Sequence, residues 1–166
     1  MIECLRECLV SLHRCSFLQG VAHEGGTATR APAVKGELKI PGYSSYLHPL
    51  SEGRVLGIGQ EGNQVKISLF DVRYPAEPRE KDKYLLDERW SEAVSNHHAF
   101  LQDAKHQVFF LPGGRGGYVF GYAGDELKLV KAVANIDAKR ALYLDDYLYI
   151  IGDDNIEVLD EKTWES

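Results

Sequence analysis

Two glycine-rich segments in this 166-residue sequence have a spacing that suggests phosphate chemistry. Gly57–Gly62 reads GIGQEG, which is the G-x-G-x-x-G spacing used to hold a dinucleotide pyrophosphate. Such a site needs a helix N-terminus directly after the glycines, because the helical N–H groups bind the phosphates. Residues 63–72 instead alternate apolar and polar side chains as a strand does. We therefore predict a β-hairpin here and another at Gly113–Gly117, which lacks the Lys-Ser/Thr ending of a phosphate loop.

Possible metal ligands occur in an N-terminal region and in two acidic pairs. The N-terminal candidates for zinc are Cys4, Cys8, His13 and Cys15. The three cysteines fall on one stripe of a predicted helix rather than on a zinc knuckle, so we expect them to act as small apolar contacts. Asp145-Asp146 and Asp153-Asp154 offer oxygen ligands for calcium, but neither pair belongs to a D-x-D-x-D-G loop. Both pairs are typical of hairpin turns. The sequence thus predicts no metal-binding residue.

A nucleophile and a base can be chosen from the sequence, but nothing in it shows that they meet. The pair His97-His98 lies near Asp87 and Glu92, and Ser44-Ser45 is a possible nucleophile. The serines are not in a G-x-S-x-G elbow, and we expect His97 to be a packed, hydrogen-bonded side chain. We predict no catalytic residue and no cofactor-binding residue. The aromatic side chains expected to fill the core are Tyr43, Tyr46, Phe100, Phe109, Phe110, Tyr118, Phe120, Tyr143, Tyr147 and Tyr149.

Composition excludes several classes of partner. Asp and Glu number 25 against 19 Lys and Arg, so the net charge of −6 provides no field to attract nucleic acid. Apolar runs such as Tyr147–Ile151 fall far short of the ~20 residues of a membrane-spanning helix. Charged residues interrupt residues 1–14, so we identify no signal peptide there and expect the chain as written to stay in the cytoplasm.

The elements that would position these residues change in character near residue 36. Residues 1–35 combine apolar residues at helical spacing with a polar Gly/Thr/Ala/Pro stretch, which predicts a short N-terminal helix and a linker. Residues 36–166 consist of short apolar runs between Gly, Asp, Asn and Pro, which predicts an all-β domain. The clearest strand is Val65–Leu69, where Val65, Ile67 and Leu69 share one face and Lys66 and Ser68 the other.

Three predicted hairpins repeat along this domain. Aligned on Val65, Tyr118 and Ile156, they are 53 and 38 residues apart. The mean is close to the ~40–45 residues of one propeller blade. We therefore predict a partial β-propeller of two to three four-stranded antiparallel blades.

The sequence resembles the prokaryotic family of secreted beta-propeller-domain proteins that are distantly related to WD repeats. The matching segments are Gly36–Pro49, Gly57–Gly59, Lys66–Val72, Pro75, Pro78, Ser91–Ala93, His97, Ala99-Phe100, Tyr118–Phe120, Tyr147–Tyr149 and Ile156–Val158. The resemblance implies an extracytoplasmic location and a C-terminal fragment of a longer propeller.

The function expected from this resemblance is non-enzymatic binding or scaffolding. The alternative is a hydrolase or metal-dependent enzyme with its site in the propeller channel. An incomplete ring leaves blade faces and edges open, so the expected partner is another protein or a second copy of the chain.

Overall fold

The computed structural model describes residues 10–11, 14–19, 33–51 and 53–165, which contain fourteen β-strands and three short 3-10 turns. The predicted all-β class is confirmed in this part of the chain. No helix in the same ranges has the length and apolar character to cross a membrane.

The strands form four antiparallel sheets that follow one another along the chain, and within each sheet the strands pair in sequence order. Sheet 1 contains β1 (Val10–Ser11), β2 (Arg14–Gln19) and β3 (Ala33–Leu38). Sheet 2 contains β4 (Tyr43–Pro49), β5 (Arg54–Glu61), β6 (Gln64–Asp71) and β7 (Arg79–Leu86). Sheet 3 contains β8 (Leu101–Asp103), β9 (Val108–Gly113), β10 (Gly116–Gly121) and β11 (Lys128–Ala134). Sheet 4 contains β12 (Arg140–Leu144), β13 (Tyr147–Ile151) and β14 (Ile156–Asp160).

Neighbouring sheets pack face to face, as the blades of a partial propeller do. The largest core lies between sheets 2 and 3 and stacks Phe100, Phe109 and Phe120, with ring centroids 5.7 and 5.4 Å apart. A second core joins sheets 3 and 4 around Phe110, Leu148 and Ile150. The predicted core is confirmed for these phenylalanines, but it is wrong for Tyr143 and Tyr147, which are 48% and 45% exposed.

The two central strands of sheet 2, β5 and β6, are buried on both faces, unlike those of an ordinary half-exposed sheet. Ile58 pairs with Ile67, and both side chains are fully buried against sheet 3. Lys66, predicted to face away from that core, is also buried, because β3 covers the opposite face with Leu38. Its ammonium group donates to the carbonyl of Pro41 at 2.8 Å and forms ion pairs at 3.2 Å and 3.1 Å with two glutamates. The two glutamates are Glu61 and Glu80. A buried lysine without such partners would be strongly destabilising.

The predicted N-terminal helix is wrong where the structure describes that region. Val10–Ser11 and Arg14–Gln19 are strands, and Cys15 of β2 pairs with Leu38 of β3. An isolated short helix is marginal in water, whereas an adjacent strand provides hydrogen-bond partners for backbone N–H and C=O groups and a surface to pack against. Residues 1–9 lie outside the described residues, as do most of the predicted linker positions. β3 itself runs across residue 36, where the composition changes.

Strand direction gives the stacked sheets two ends. The turns after β5 and β9 and the connection 87–100 lie at one end, which we call the upper end. The turns after β4, β8 and β12 lie at the other, the lower end.

Candidate functional site

The connection 87–100 holds three sheets together at the upper end. Gln60 of sheet 2 donates its side-chain amide to the carbonyl of Arg89 at 2.9 Å. The buried Ser91 hydroxyl donates to the carbonyl of Pro112 in sheet 3 at 2.6 Å. Arg140 of sheet 4 donates to the carboxylate of Glu92 at 2.7 Å, and this hydrogen bond is the main cause of the lowered pKa of Glu92. The connection thereby sets the relative positions of the upper turns.

An open groove of about 550 Å³ lies beside this connection. The residues lining it are Asn63, Gln64, Asp87, Glu88, Arg89, Trp90, Gly114 and Arg115. The buried Glu88 carboxylate accepts from the Arg115 backbone N–H at 3.0 Å and from the Tyr118 hydroxyl at 2.5 Å. Burial and this hydrogen bond raise the pKa of Tyr118 to about 12. Arg115 also pairs with Asp87 at 3.0 Å, so the charged groups of the groove largely satisfy one another.

A chain of side-chain hydrogen bonds links the first strands of sheets 2 and 3. His48 bonds through Nδ1 to the Tyr46 hydroxyl at 2.8 Å and through Nε2 to Gln102 at 2.7 Å. Gln102 then donates to the Tyr122 hydroxyl at 2.7 Å. Burial lowers the pKa of His48, and the Phe100 ring lies 4.6 Å from its imidazole. Both ring nitrogens have side-chain partners, so His48 joins β4 to β8 through hydrogen bonds.

The residues that the sequence offered for catalysis do not assemble as a nucleophile and base. Ser44 is buried and Ser45 is exposed. His97 was expected to be packed, but it is exposed like its neighbour His98, and the ring centroids of the pair are 4.0 Å apart. The Glu92 carboxylate accepts from Arg140 and Asn96. The packed histidine of this region is the partly buried His48, which local sequence did not indicate because its partner Gln102 lies 54 residues away.

The glycine segments are hairpins, as predicted. Gly62 has φ +61° in the turn between β5 and β6, a conformation that favours glycine. A Cβ atom on residue 59 would lie 1.8 Å from the carbonyl oxygen of Tyr43, and one on residue 57 would lie 2.6 Å from the Ser44 hydroxyl. The G-x-G-x-x-G spacing therefore reflects the close approach of β4 to β5 and one tight turn.

The two aspartate pairs lie at opposite ends of β13, because one precedes that strand and the other follows it. They do not form a shared calcium site. Asp146 instead forms ion pairs with Lys105 and Lys162, and hydrogen bonds from these lysines lower its pKa to about 2. Of the proposed zinc ligands, Cys4, Cys8 and His13 lie outside the described residues, and Cys15 is described only as part of β2.

One group of possible metal ligands occurs within the described residues, at the lower end between sheets 3 and 4. Asp103, His106 and Glu161 each place a ligand atom within 4.8 Å of the other two. Burial raises the pKa of Glu161, and the neighbouring Asp103 carboxylate raises it further. Burial also acts to raise the pKa of Asp103, but the hydrogen bonds that its carboxylate receives from His106 and Lys105 outweigh burial and lower it.

An apolar surface covers the face of sheet 4 that points away from sheet 3, and we call it the outer face of sheet 4. The register places Leu142, Tyr149 and Val158 side by side, and Leu144 beside Tyr147. Leu142 is 44% exposed and Leu144 58%. Ile156 on the same face is 62% exposed. The apolar residues on this face are Leu142, Leu144, Tyr147, Tyr149, Ile151, Ile156 and Val158, and the register also places Arg140 beside Ile151 and Asp160 beside Tyr147 on the same face.

Comparison with known proteins identifies the architecture. The model of the family described as beta propeller domain matches residues 27–164. An uncharacterized protein of Archaeoglobus fulgidus is 58% identical over 134 residues, which cover 81% of this chain and 21% of that protein. An uncharacterized protein of Methanocaldococcus jannaschii is 42% identical over 136 residues, which cover 81% of this chain and 22% of that protein. The chain thus spans about a fifth of the length of these curated relatives.

Proposed function

Since the chain belongs to the beta propeller domain family, we propose that it is a non-enzymatic scaffolding segment whose outer face of sheet 4 packs against a further propeller sheet. The observation that carries this proposal is the row of exposed apolar side chains on that face. Sheets 2 and 3 bury equivalent side chains against a neighbouring sheet, so this surface has the composition of a sheet-packing face.

The energetics favour a propeller sheet as the occupant. Completing the burial of a half-exposed Leu, Ile or Val contributes roughly 1 kcal/mol, so the five most exposed residues together contribute about 5 kcal/mol. Those five are Leu142, Leu144, Tyr147, Ile156 and Val158. The cost of bringing two free molecules together is similar, at about 4–15 kcal/mol. A sheet within the same polypeptide avoids most of that cost, whereas a second copy of the chain binds weakly and only at high concentration.

The experiment measures self-association of the purified chain, in which a second copy provides the sheet. Sedimentation equilibrium over a wide concentration range is compared for the unchanged chain, Leu142→Glu and Leu129→Glu. Leu129 lies on the outer strand of sheet 3 and is 38% exposed, so it is a matched control off the proposed face. We expect reversible dimers for the unchanged chain and the control, and monomers for Leu142→Glu. Monomers throughout, or dimers that Leu142→Glu leaves intact, would refute the proposed face.

The enzyme alternative is less well supported. Both ring nitrogens of His48 are bonded to side chains, and His97 and His98 are not hydrogen-bonded to either serine that the sequence offered as a nucleophile. The extracytoplasmic location implied by the resemblance stays a prediction. Fractionation of the native host with an antibody to residues 36–166 tests it directly.

A further inference from the structure

We propose that Asp103, His106 and Glu161 form a binding site for a divalent cation of the zinc class between sheets 3 and 4. This site is at the lower end, separate from the outer face of sheet 4. Asp103 ends β8, and His106 lies in the turn before β9. Glu161 follows β14, and its backbone N–H donates to the carbonyl of Asp146 at 2.9 Å. Two sheets therefore hold the three side chains in place.

The three ligand atoms converge on one point. His106 Nδ1 lies 2.6 Å from Asp103 Oδ2 and 3.2 Å from Glu161 Oε2. Zinc binds His nitrogen and carboxylate oxygen at about 2.0–2.2 Å, which in a tetrahedral site separates neighbouring ligand atoms by about 3.3–3.6 Å. The Glu161 contact of 3.2 Å is close to this separation. The Asp103 carboxylate has to move outward by roughly 0.7–1 Å to admit the ion.

The burial of the Glu161 carboxylate is the observation that indicates a bound cation. Its side chain is 0% exposed, and among the described residues neither carboxylate oxygen accepts a hydrogen bond; Oε2 has a charge contact of 3.2 Å with His106 Nδ1. His106 Nδ1 can donate only one proton, and the shorter contact directs it to Asp103. A buried carboxylate without hydrogen bonds is costly, and a divalent cation would neutralise both carboxylates at once.

The surroundings of His106 match those of a metal-binding histidine in part. Such a histidine usually donates its second ring N–H to a carboxylate, which orients the ring. His106 Nε2 faces Asp146 Oδ1 at 3.8 Å, which is beyond hydrogen-bond distance, and Asp146 is itself held by Lys105 and Lys162. The second oxygen of Asp103 accepts the backbone N–H of Lys105 at 2.7 Å. One imidazole with two carboxylates suits zinc better than magnesium or calcium, which prefer oxygen ligands alone.

Binding is tested on the full chain with Cys4, Cys8 and Cys15 replaced by serine, so that thiolates do not bind the metal. The protein is treated with chelator, dialysed and titrated with Zn²⁺ by calorimetry. Co²⁺ is titrated in parallel, because tetrahedral nitrogen and oxygen ligands give it a visible absorption band. We expect one equivalent per chain with micromolar or tighter affinity and a melting temperature that rises with Zn²⁺ but not with Mg²⁺.

Two variants test the proposed ligands, and a third variant is the control. Glu161→Gln keeps the shape of the side chain and removes its charge, so it should fold and melt higher than the unchanged protein without metal. We expect it, like His106→Gln, to bind Zn²⁺ at least 100-fold more weakly and to lose the Co²⁺ band. Asp153→Asn at the upper end is the control and should bind normally. The proposal is overturned if no saturable binding occurs below about 1 mM, or if Glu161→Gln binds as well as the control.

Discussion

Replacing Ser91 by alanine tests whether the connection 87–100 is held to sheet 3 by one buried hydroxyl. Ser91 is fully buried, donates to the Pro112 carbonyl at 2.6 Å and accepts from the Ala93 backbone N–H at 3.3 Å. The second bond caps the 3-10 turn Glu92–Val94. Alanine fits the space without strain, so the change removes these two hydrogen bonds and little else.

The expected loss follows from the two bonds. Loss of a hydrogen bond to a buried carbonyl costs about 1–3 kcal/mol. Loss of a side-chain cap costs about 0.5–1 kcal/mol here, which is the lower part of the usual range because the cap stabilises a single turn. The free energy of unfolding should therefore fall by about 2 kcal/mol. In a chain of this length that lowers the melting temperature by roughly 4–8 °C.

The measurement is urea unfolding followed by tryptophan fluorescence, at a protein concentration below the range of self-association. Ser95→Ala is the matched control, because Ser95 is exposed and donates to the Glu92 carbonyl only at 3.3 Å. We expect the control to change stability by less than about 0.5 kcal/mol. A Ser91→Ala loss no larger than that of the control would show that the hydroxyl does not hold the connection in place.

Two further predictions concern the glycines and the pH dependence of stability. Gly59→Ala places a Cβ atom 1.8 Å from the Tyr43 carbonyl oxygen and should unfold the β4–β5 pairing, whereas Gly62→Ala should cost only about 1 kcal/mol for its positive φ. Similar urea midpoints for the two variants would contradict this. The hydrogen bond from Arg73 lowers the pKa of Asp71 from 3.8 to about 2, so its contribution to stability is present above pH 3.8 and lost as the pH falls through 2. Asp71→Asn should therefore melt lower than the unchanged chain at pH 7, and this deficit should shrink as the pH falls from 3.8 to 2 and vanish below pH 2; a deficit that is constant with pH would refute the assignment.

Local pattern predicted much of the fold correctly. Alternation in Val65–Leu69 indicated β6, and the glycines at 57, 59 and 62 marked a hairpin rather than a nucleotide site. Both inferences depend on features within a few residues, namely side-chain period and backbone φ. The prediction failed at Arg14–Gln19, where pairing with β3 produces a strand although the apolar spacing suggested a helix.

The sites could not be predicted because they depend on residues brought together by sheet stacking. Nothing near His48 in the chain indicates Gln102, and nothing near Asp103 and His106 indicates Glu161. Glu161 also follows its strand in a turn, where an acidic residue is ordinarily exposed. Only the packing of sheet 4 on sheet 3 buries it beside a second carboxylate.

The sequence by itself determined where the chain forms hairpins after residue 36, because strand alternation and turn glycines act over a few neighbouring residues. It also determined that the chain carries excess negative charge. The tertiary structure alone decided that both faces of β5 and β6 are buried and that the buried Lys66 ammonium group forms ion pairs with Glu61 and Glu80. It also decided that the outer face of sheet 4 stays exposed and that the carboxylates of Asp103 and Glu161 lie close together. These outcomes depend on contacts between sheets far apart in the chain, and the local pattern of any one strand is compatible with several such arrangements.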